Sequence, residues 1–178
     1  MVAALLQAAT KLFAEHGPAA VSLRDVAREA NVNLGLIHRY IGSKEDLLAA
    51  VLAARPGMAP IHEVVLDTTD DLTAVALELV SAGGPYPVIL LRAALEGYDV
   101  KRLQDVFPLI ELAARFMRKD LPRADADVRT AFLVAAILGW QGVGPLMLDV
   151  LKQRNLTHEE VGEALRPALA AFLDVDPS

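Results

Sequence analysis

The sequence contains no cysteine, so no disulfide staples it and no thiolate serves as nucleophile or metal ligand. That absence fits a reducing compartment, and a cytoplasmic location is expected. The histidines, His16, His38, His62 and His158, show no metal-ligand spacing. No metal and no cofactor are therefore expected. There is no G-x-S-x-G nucleophile elbow. The "GSK" at 42–44 lacks the upstream glycine of a phosphate loop, and "GWQGVG" at 139–144 does not follow a strand. These gaps argue against an enzyme. No period-2 strand bounded by hairpin turns, internal repeat or low-complexity tract is found. The opening "MVAALLQAATKLF" lacks a basic n-region and a cleavage site, so it reads as an amphipathic helix rather than a signal peptide.

One long uncharged run stands out, Ala131–Leu148, "AFLVAAILGWQGVGPLML", 18 residues that approach the lower length of a membrane span. Gln141, Pro145 and three glycines interrupt it, and Arg129 and Asp149 flank it. The expected role is a buried interface helix, with no membrane partner.

What is present points to an ordered globular protein: 178 residues, 54% hydrophobic and 22% charged. The net charge of −6 is unevenly placed. Lys11, Arg24, Arg28, Arg39 and Lys44 balance Glu15, Asp25, Glu29, Glu45 and Asp46 within residues 1–54, so all the excess negative charge lies beyond them. An N-terminal module without net repulsion for polyanions precedes an acidic body.

Periodicity predicts an all-α chain. A first helix spans about Val2 to His16 and stops at Gly17-Pro18. Ser22 caps a second helix, with Asp25 near its positive end. The turn Ala30-Asn31-Val32 needs a residue that tolerates positive φ, and Asn31 suits it. Asn33 caps a third helix, about Leu34 to Tyr40, with Ile37 and Ile41 facing inward. Ser43 caps a fourth, Lys44 to about Ala54. "RPGMAP" at 55–60 marks a boundary. Later helices are expected over Asp70–Ala82, Pro85–Glu96, Arg102–Lys119, Ala126–Leu151 and Thr157–Leu173.

Two short helices joined by a tight turn can set the second into a DNA major groove while the first braces on the backbone. Here the second offers His38, Arg39 and Tyr40 outward. Lys44, at a helix start, can meet a phosphate together with backbone N–H groups. The stretches "AATKLFAEHG", "SLRDVAREANV" and "LIHRYIGSKEDLL" resemble, in order and spacing, the DNA-binding domain of the tetracycline-repressor (TetR) family over about residues 3–52. The resemblance implies a ligand-responsive transcriptional regulator, a repressor that binds a palindromic double-stranded operator. Arg24 then contacts a phosphate or groove edge, and Asn33, Leu34, Gly35 and Leu36 form the leading turn of the recognition helix. His38, Arg39 and Tyr40 read bases or clamp phosphates, and Lys44 contacts the backbone. Ile41 stands where Phe is usual, His38 where Tyr is common, and Asn31 where Gly is common. The competing class is a helical homodimeric interaction or ligand-binding protein that does not touch DNA.

The expected architecture is an N-terminal three-helix helix-turn-helix DNA-binding domain over 1–48 and a larger helical ligand-binding and dimerisation domain over 49–178. The resemblance implies a homodimer and a small-molecule effector. Ala131, Ala135, Gly139 and Val143 repeat at i, i+4 on one face and permit close helix approach. Leu165, Leu169 and Phe172 are the expected partner stripe. For a pocket holding a largely apolar effector, the candidates are Phe107, Phe116, Met117, Trp140 and Met147. Polar candidates are His62, Tyr86, Arg92, Glu96, Tyr98 and Gln141.

Overall fold

A computed structural model describes residues 1–55, 66–82, 84–104, 107–153 and 155–174, and every regular element among them is a helix. The helices are α1 (Val2–His16), α2 (Leu23–Glu29), α3 (Leu34–Tyr40), α4 (Lys44–Ala54) and α5 (Thr69–Ala82). They continue with α6 (Pro85–Leu95), α7 (Val100–Leu103), α8 (Pro108–Met117), α9 (Arg123–Val150) and α10 (His158–Leu173). The chain forms two compact units. Among the described residues the first holds 1–55 and 84–104, and the second holds 66–82 and 107–174.

In the first unit, α1 packs on α2, α4 and α6, and α4 also meets α7. Leu5, Ala9 and Phe13 of α1 are fully buried, with Val26 of α2, Ile37 of α3, Leu47, Leu48, Val51 and Leu52 of α4, and Ile89 and Ala93 of α6. Burying each large aliphatic side chain contributes about 1.5–3 kcal/mol relative to leaving it in water. Local chemistry sets the helix ends. α1 terminates at Gly17, whose φ of 83° suits a residue without a Cβ. Ser22 and Asp25 form a reciprocal capping box at α2, and Ser43 and Asp46 form another at α4. Asn31 adopts φ 52° in the turn between α2 and α3, and the Asn33 side chain caps α3 through the Gly35 N–H. Ile41 is half-buried. This unit extends past residue 48 through the rest of α4, and takes in α6 and α7 from further along the chain.

The second unit is built from α5, α8, α9 and α10. α10 lies mainly on α5, α8 on α9, and α5 also touches α9. Leu72, Ala76 and Val80 of α5 meet Ala113 and Met117 of α8, Ala126, Leu133 and Ile137 of α9, and Val161 and Leu173 of α10 in one core. Thr130 is buried there, its hydroxyl donating to the Ala126 carbonyl at 2.8 Å. Arg118 and Lys119 follow α8 as a turn.

The expected single helix over Arg102–Lys119 is two helices. α7 ends at Gln104, where φ −146° and ψ 110° are extended, and α8 starts with Pro108 in its first turn. Proline has no N–H to donate back into a helix, and it pushes the preceding residue out of the helical region. Phe107 accordingly has φ −116° and ψ 72°. α9 in turn runs 28 residues straight through Pro145. Gly144 is buried against Trp140, since a Cβ there would come within 2.7 Å of the indole.

Candidate nucleic-acid interface

The buried face of α3 is one residue wide. Ile37 is 0% exposed, whereas His38, Arg39 and Tyr40 stand in solvent, Tyr40 at 53%. Asn33 and Gly35 at its start are exposed, and Leu34 and Leu36 are half-buried. Seven residues with one fully buried side chain thus present a ring, a guanidinium and a phenol on successive positions. The Arg39 guanidinium lies 5.5 Å from the centroid of the Tyr40 ring, a cation–π distance that limits where the charge can point. Arg24 is exposed in the first turn of α2.

Charge pairing separates the cations of this unit. The Lys11 ammonium bonds the Glu29 carboxylate at 2.7 Å, which raises the lysine pKa and lowers that of the glutamate. Arg28 is paired with Asp25. The Asp25 carboxylate, held first by the Ser22 hydroxyl, then by the Ser22 backbone N–H and Arg28, drops from its usual 3.8 to about 2. Among the described residues, Arg24 and Arg39 meet no carboxylate. Lys44, half-buried at the start of α4, donates to the Pro18 carbonyl at 2.9 Å and the Ala19 carbonyl at 3.2 Å, and lies 6.0 Å from the centre of the Tyr98 ring. Among the described residues, Arg24, Arg39 and Lys44 therefore carry charge that no carboxylate pairs with, in a chain of net charge −6. Such a pattern can bind phosphates and, through α3, base edges.

Comparison with known proteins gives this geometry a family. The family model described as "Bacterial regulatory proteins, tetR family" matches residues 5–51. The HTH-type transcriptional repressor Rv3405c of Mycobacterium tuberculosis is 35% identical over 178 residues, covering 98% of this chain and 89% of its own length. The chain belongs to the TetR family of HTH-type transcriptional regulators. Solved structures share its fold. A putative fatty acid metabolism regulator of Clostridium perfringens superposes with a TM-score of 0.71 at 17% identity, covering 97% of this chain and 100% of that one. NalD, the secondary repressor of the MexAB-OprM multidrug efflux pump in Pseudomonas aeruginosa, gives 0.66 at 24% identity, covering 96% and 94%. The protein is thus a DNA-binding transcriptional regulator and not an enzyme.

The residues expected to line an effector pocket of this TetR-family regulator fall into both units. In the first unit, Tyr86 is buried and its hydroxyl donates to Gln104 Oε1 at 3.0 Å; burial pushes the phenol's pKa up. Arg92, Glu96 and Tyr98 lie beside the α1–α2 loop and Lys44. In the second unit, Met117 belongs to the core, and Phe116 and Trp140 pack on it. Phe107 is half-buried ahead of α8, and Met147 is exposed. The Gln141 amide donates to the Leu79 carbonyl of α5. His62 lies outside the described residues. None of these residues lines the open groove of about 400 Å³ between α8 and α9, which is walled by Ile110, Ala114, Thr130, Ala131, Val134 and Leu138, with Ala135 beside them and the Arg118–Asp127 ion pair also on it.

Of the expected interface residues, Ala131, Ala135 and Val143 are exposed and Gly139 is half-buried on α9. Phe132, 63% exposed, stacks obliquely on Phe172 with centroids 5.4 Å apart. Leu165, Leu169 and Phe172 are half-buried against the core of their own unit. The outward positions of α10 are instead Glu163, Ala164, Arg166, Pro167, Ala168 and Ala171.

Proposed function

We propose that this regulator is a cytoplasmic repressor that binds a palindromic operator as a homodimer and leaves it when a small, largely apolar effector binds. The observation that carries the DNA reading is the exposed His38–Arg39–Tyr40 run on α3 over a fully buried Ile37. Arg39 and His38 read base edges; Tyr40, Arg24 and Lys44 contact phosphates; Asn33, Leu34, Gly35 and Leu36 bring the start of α3 against the groove. The DNA-reading module is 1–48, and the effector and dimerisation functions belong to 49–178.

The dimer reading is supported by α9. It is long and apolar enough to cross a membrane by length and composition, yet only 11% of its apolar window is buried. Val128, Phe132, Val143, Leu146 and Met147 are exposed along it. Gln141 is bonded to α5, and small residues sit at 131, 135 and 139. That composition suits the face of a second protein helix. Two half-sites on a palindrome also call for a two-fold protein.

Selection of bound fragments from fragmented genomic DNA with the purified protein tests the proposal. The expected product is a palindrome with half-site centres one helical turn apart, about 34–36 Å. Binding should fall steeply with salt. Recovery of no sequence preference would sink the operator reading.

A further inference from the structure

We propose that Glu96 is a positioning residue for DNA binding: from the end of α6 it clamps the loop between α1 and α2, and that loop holds Lys44. The proposal rests on Lys44 as a phosphate contact and adds what sets that side chain in place. Everything it uses lies within the first unit.

The geometry centres on one peptide plane. The Ala19 N–H donates to Glu96 Oε2 at 2.6 Å, and the Pro18 carbonyl accepts from Lys44 Nζ at 2.9 Å. That N–H and that carbonyl belong to the same peptide group, and no peptide bond among the described residues is cis. In a trans peptide the two groups point in opposite directions. A carboxylate therefore grips one edge of the plane and an ammonium the other. Both bonds are charge-assisted, and each polarises the amide in the sense that strengthens the other. The Ala19 carbonyl adds a second acceptor for Lys44 at 3.2 Å. An ammonium has three N–H donors, so one is left for a phosphate.

The rest of the α6 end reinforces this arrangement. Gly17 has φ 83°, and a Cβ there would run into the Glu96 carboxylate and come within 3.3 Å of Arg92 Nη1. The loop passes this close to α6 because position 17 carries no side chain. Beyond Glu96 the chain turns through Gly97, the Tyr98 N–H bonds the Ala93 carbonyl at 3.0 Å, and the Tyr98 ring lies 6.0 Å from Lys44 Nζ. Lys44 is thus bounded by the loop and by the segment that carries Glu96. Glu96 itself is exposed, so its carboxylate is not needed to fill a core.

Full-length protein and a selected operator fragment provide the test, with affinity measured by fluorescence anisotropy across a salt series. Glu96→Ala should weaken binding about tenfold, a loss typical of one charge-assisted hydrogen bond. Glu96→Gln, whose amide oxygen still accepts from Ala19 N–H, should recover most of it. Glu96→Ala should also lower the salt slope by about one, as expected when one phosphate contact is lost. Adding Lys44→Ala to Glu96→Ala should cost little beyond Lys44→Ala alone. Wild-type affinity for Glu96→Ala beside a weakened Lys44→Ala overturns the clamp and leaves the Lys44 contact standing. Wild-type affinity for Lys44→Ala overturns the contact and the clamp with it. Independent, multiplying losses in the double variant, or failure of Glu96→Gln to recover binding, also overturn the clamp.

Discussion

Arg39 carries the sharpest consequence of any single side chain. Its guanidinium is exposed, meets no carboxylate among the described residues and is restrained by the Tyr40 ring. A bidentate contact to a base is worth about 1–3 kcal/mol of discrimination. Arg39→Ala should therefore cost that much on the operator and relax preference at one base position, as titrations on operator and single-base variants would register. Equal affinity on operator and scrambled DNA before and after the change would remove Arg39 from base reading. Much at this scale is legible in the sequence, because caps and turns are local. Asn31 at positive φ, Asn33, Ser22 and Ser43 follow from their own neighbours. Glu96 does not. Its partner Ala19 is 77 positions away, and nothing in the run "ALEGYDV" marks a residue that grips a distant loop.

At the scale of elements, short helices depend on their ends. α2 has seven residues and α4 eleven, too few to be stable alone, and each begins with a reciprocal box. The boxes make stability depend on acid in a defined direction. The Asp25 carboxyl is held at about 2 against its usual 3.8, and Asp46 is lowered chiefly by the Ser43 backbone N–H and then by its hydroxyl. A carboxylate whose folded pKa is depressed contributes stability above its unfolded value and loses it as pH falls through the folded one. Thermal melts should thus be nearly flat from pH 7 to about 5 and fall between about 4 and 2. Asp25→Asn with Asp46→Asn should lower the neutral-pH melting temperature and flatten part of that fall; an unchanged acid limb would show that other groups set it. The break between α7 and α8 is the element that periodicity misses. The apolar spacing of 102–119 is continuous, but Pro108 carries a backbone rule that overrides it. Pro145 shows the opposite outcome, since α9 continues through it without a break.

At the scale of the whole molecule, the helix inventory apart from the α7–α8 break, and the DNA-reading module, are legible because both are written in local pattern and linked signatures. The partition into units is not, because α6 and α7 join α1–α4 through contacts that no composition shift announces. The effector reading makes a reciprocal demand. A compound that releases the operator must bind free protein more tightly than operator-bound protein, by the same factor with which DNA weakens the compound. Titrating a candidate apolar compound against both forms by calorimetry should give that difference, and equal affinities would identify a passive occupant.

The dimer reading makes a demand that the protomer alone does not. A Cβ built on Gly139 meets nothing within 4 Å, so a side chain can leave the helix there without a clash at its first atom. Replacing a glycine inside a helix also removes a cost of about 1 kcal/mol relative to alanine. Gly139→Leu should therefore leave the protomer folded, with wild-type helix content by circular dichroism. If a second α9 packs closely at 139, the same leucine overfills the contact, a change that typically costs about 1–3 kcal/mol. Exposed Ala135→Trp should act in the same direction. The expected result by light scattering at micromolar concentration is a dimeric wild type and folded, monomeric variants that bind a half-site but lose the tight binding to the full palindrome. Variants that stay dimeric with unchanged operator affinity would move the two-fold contact off this face of α9.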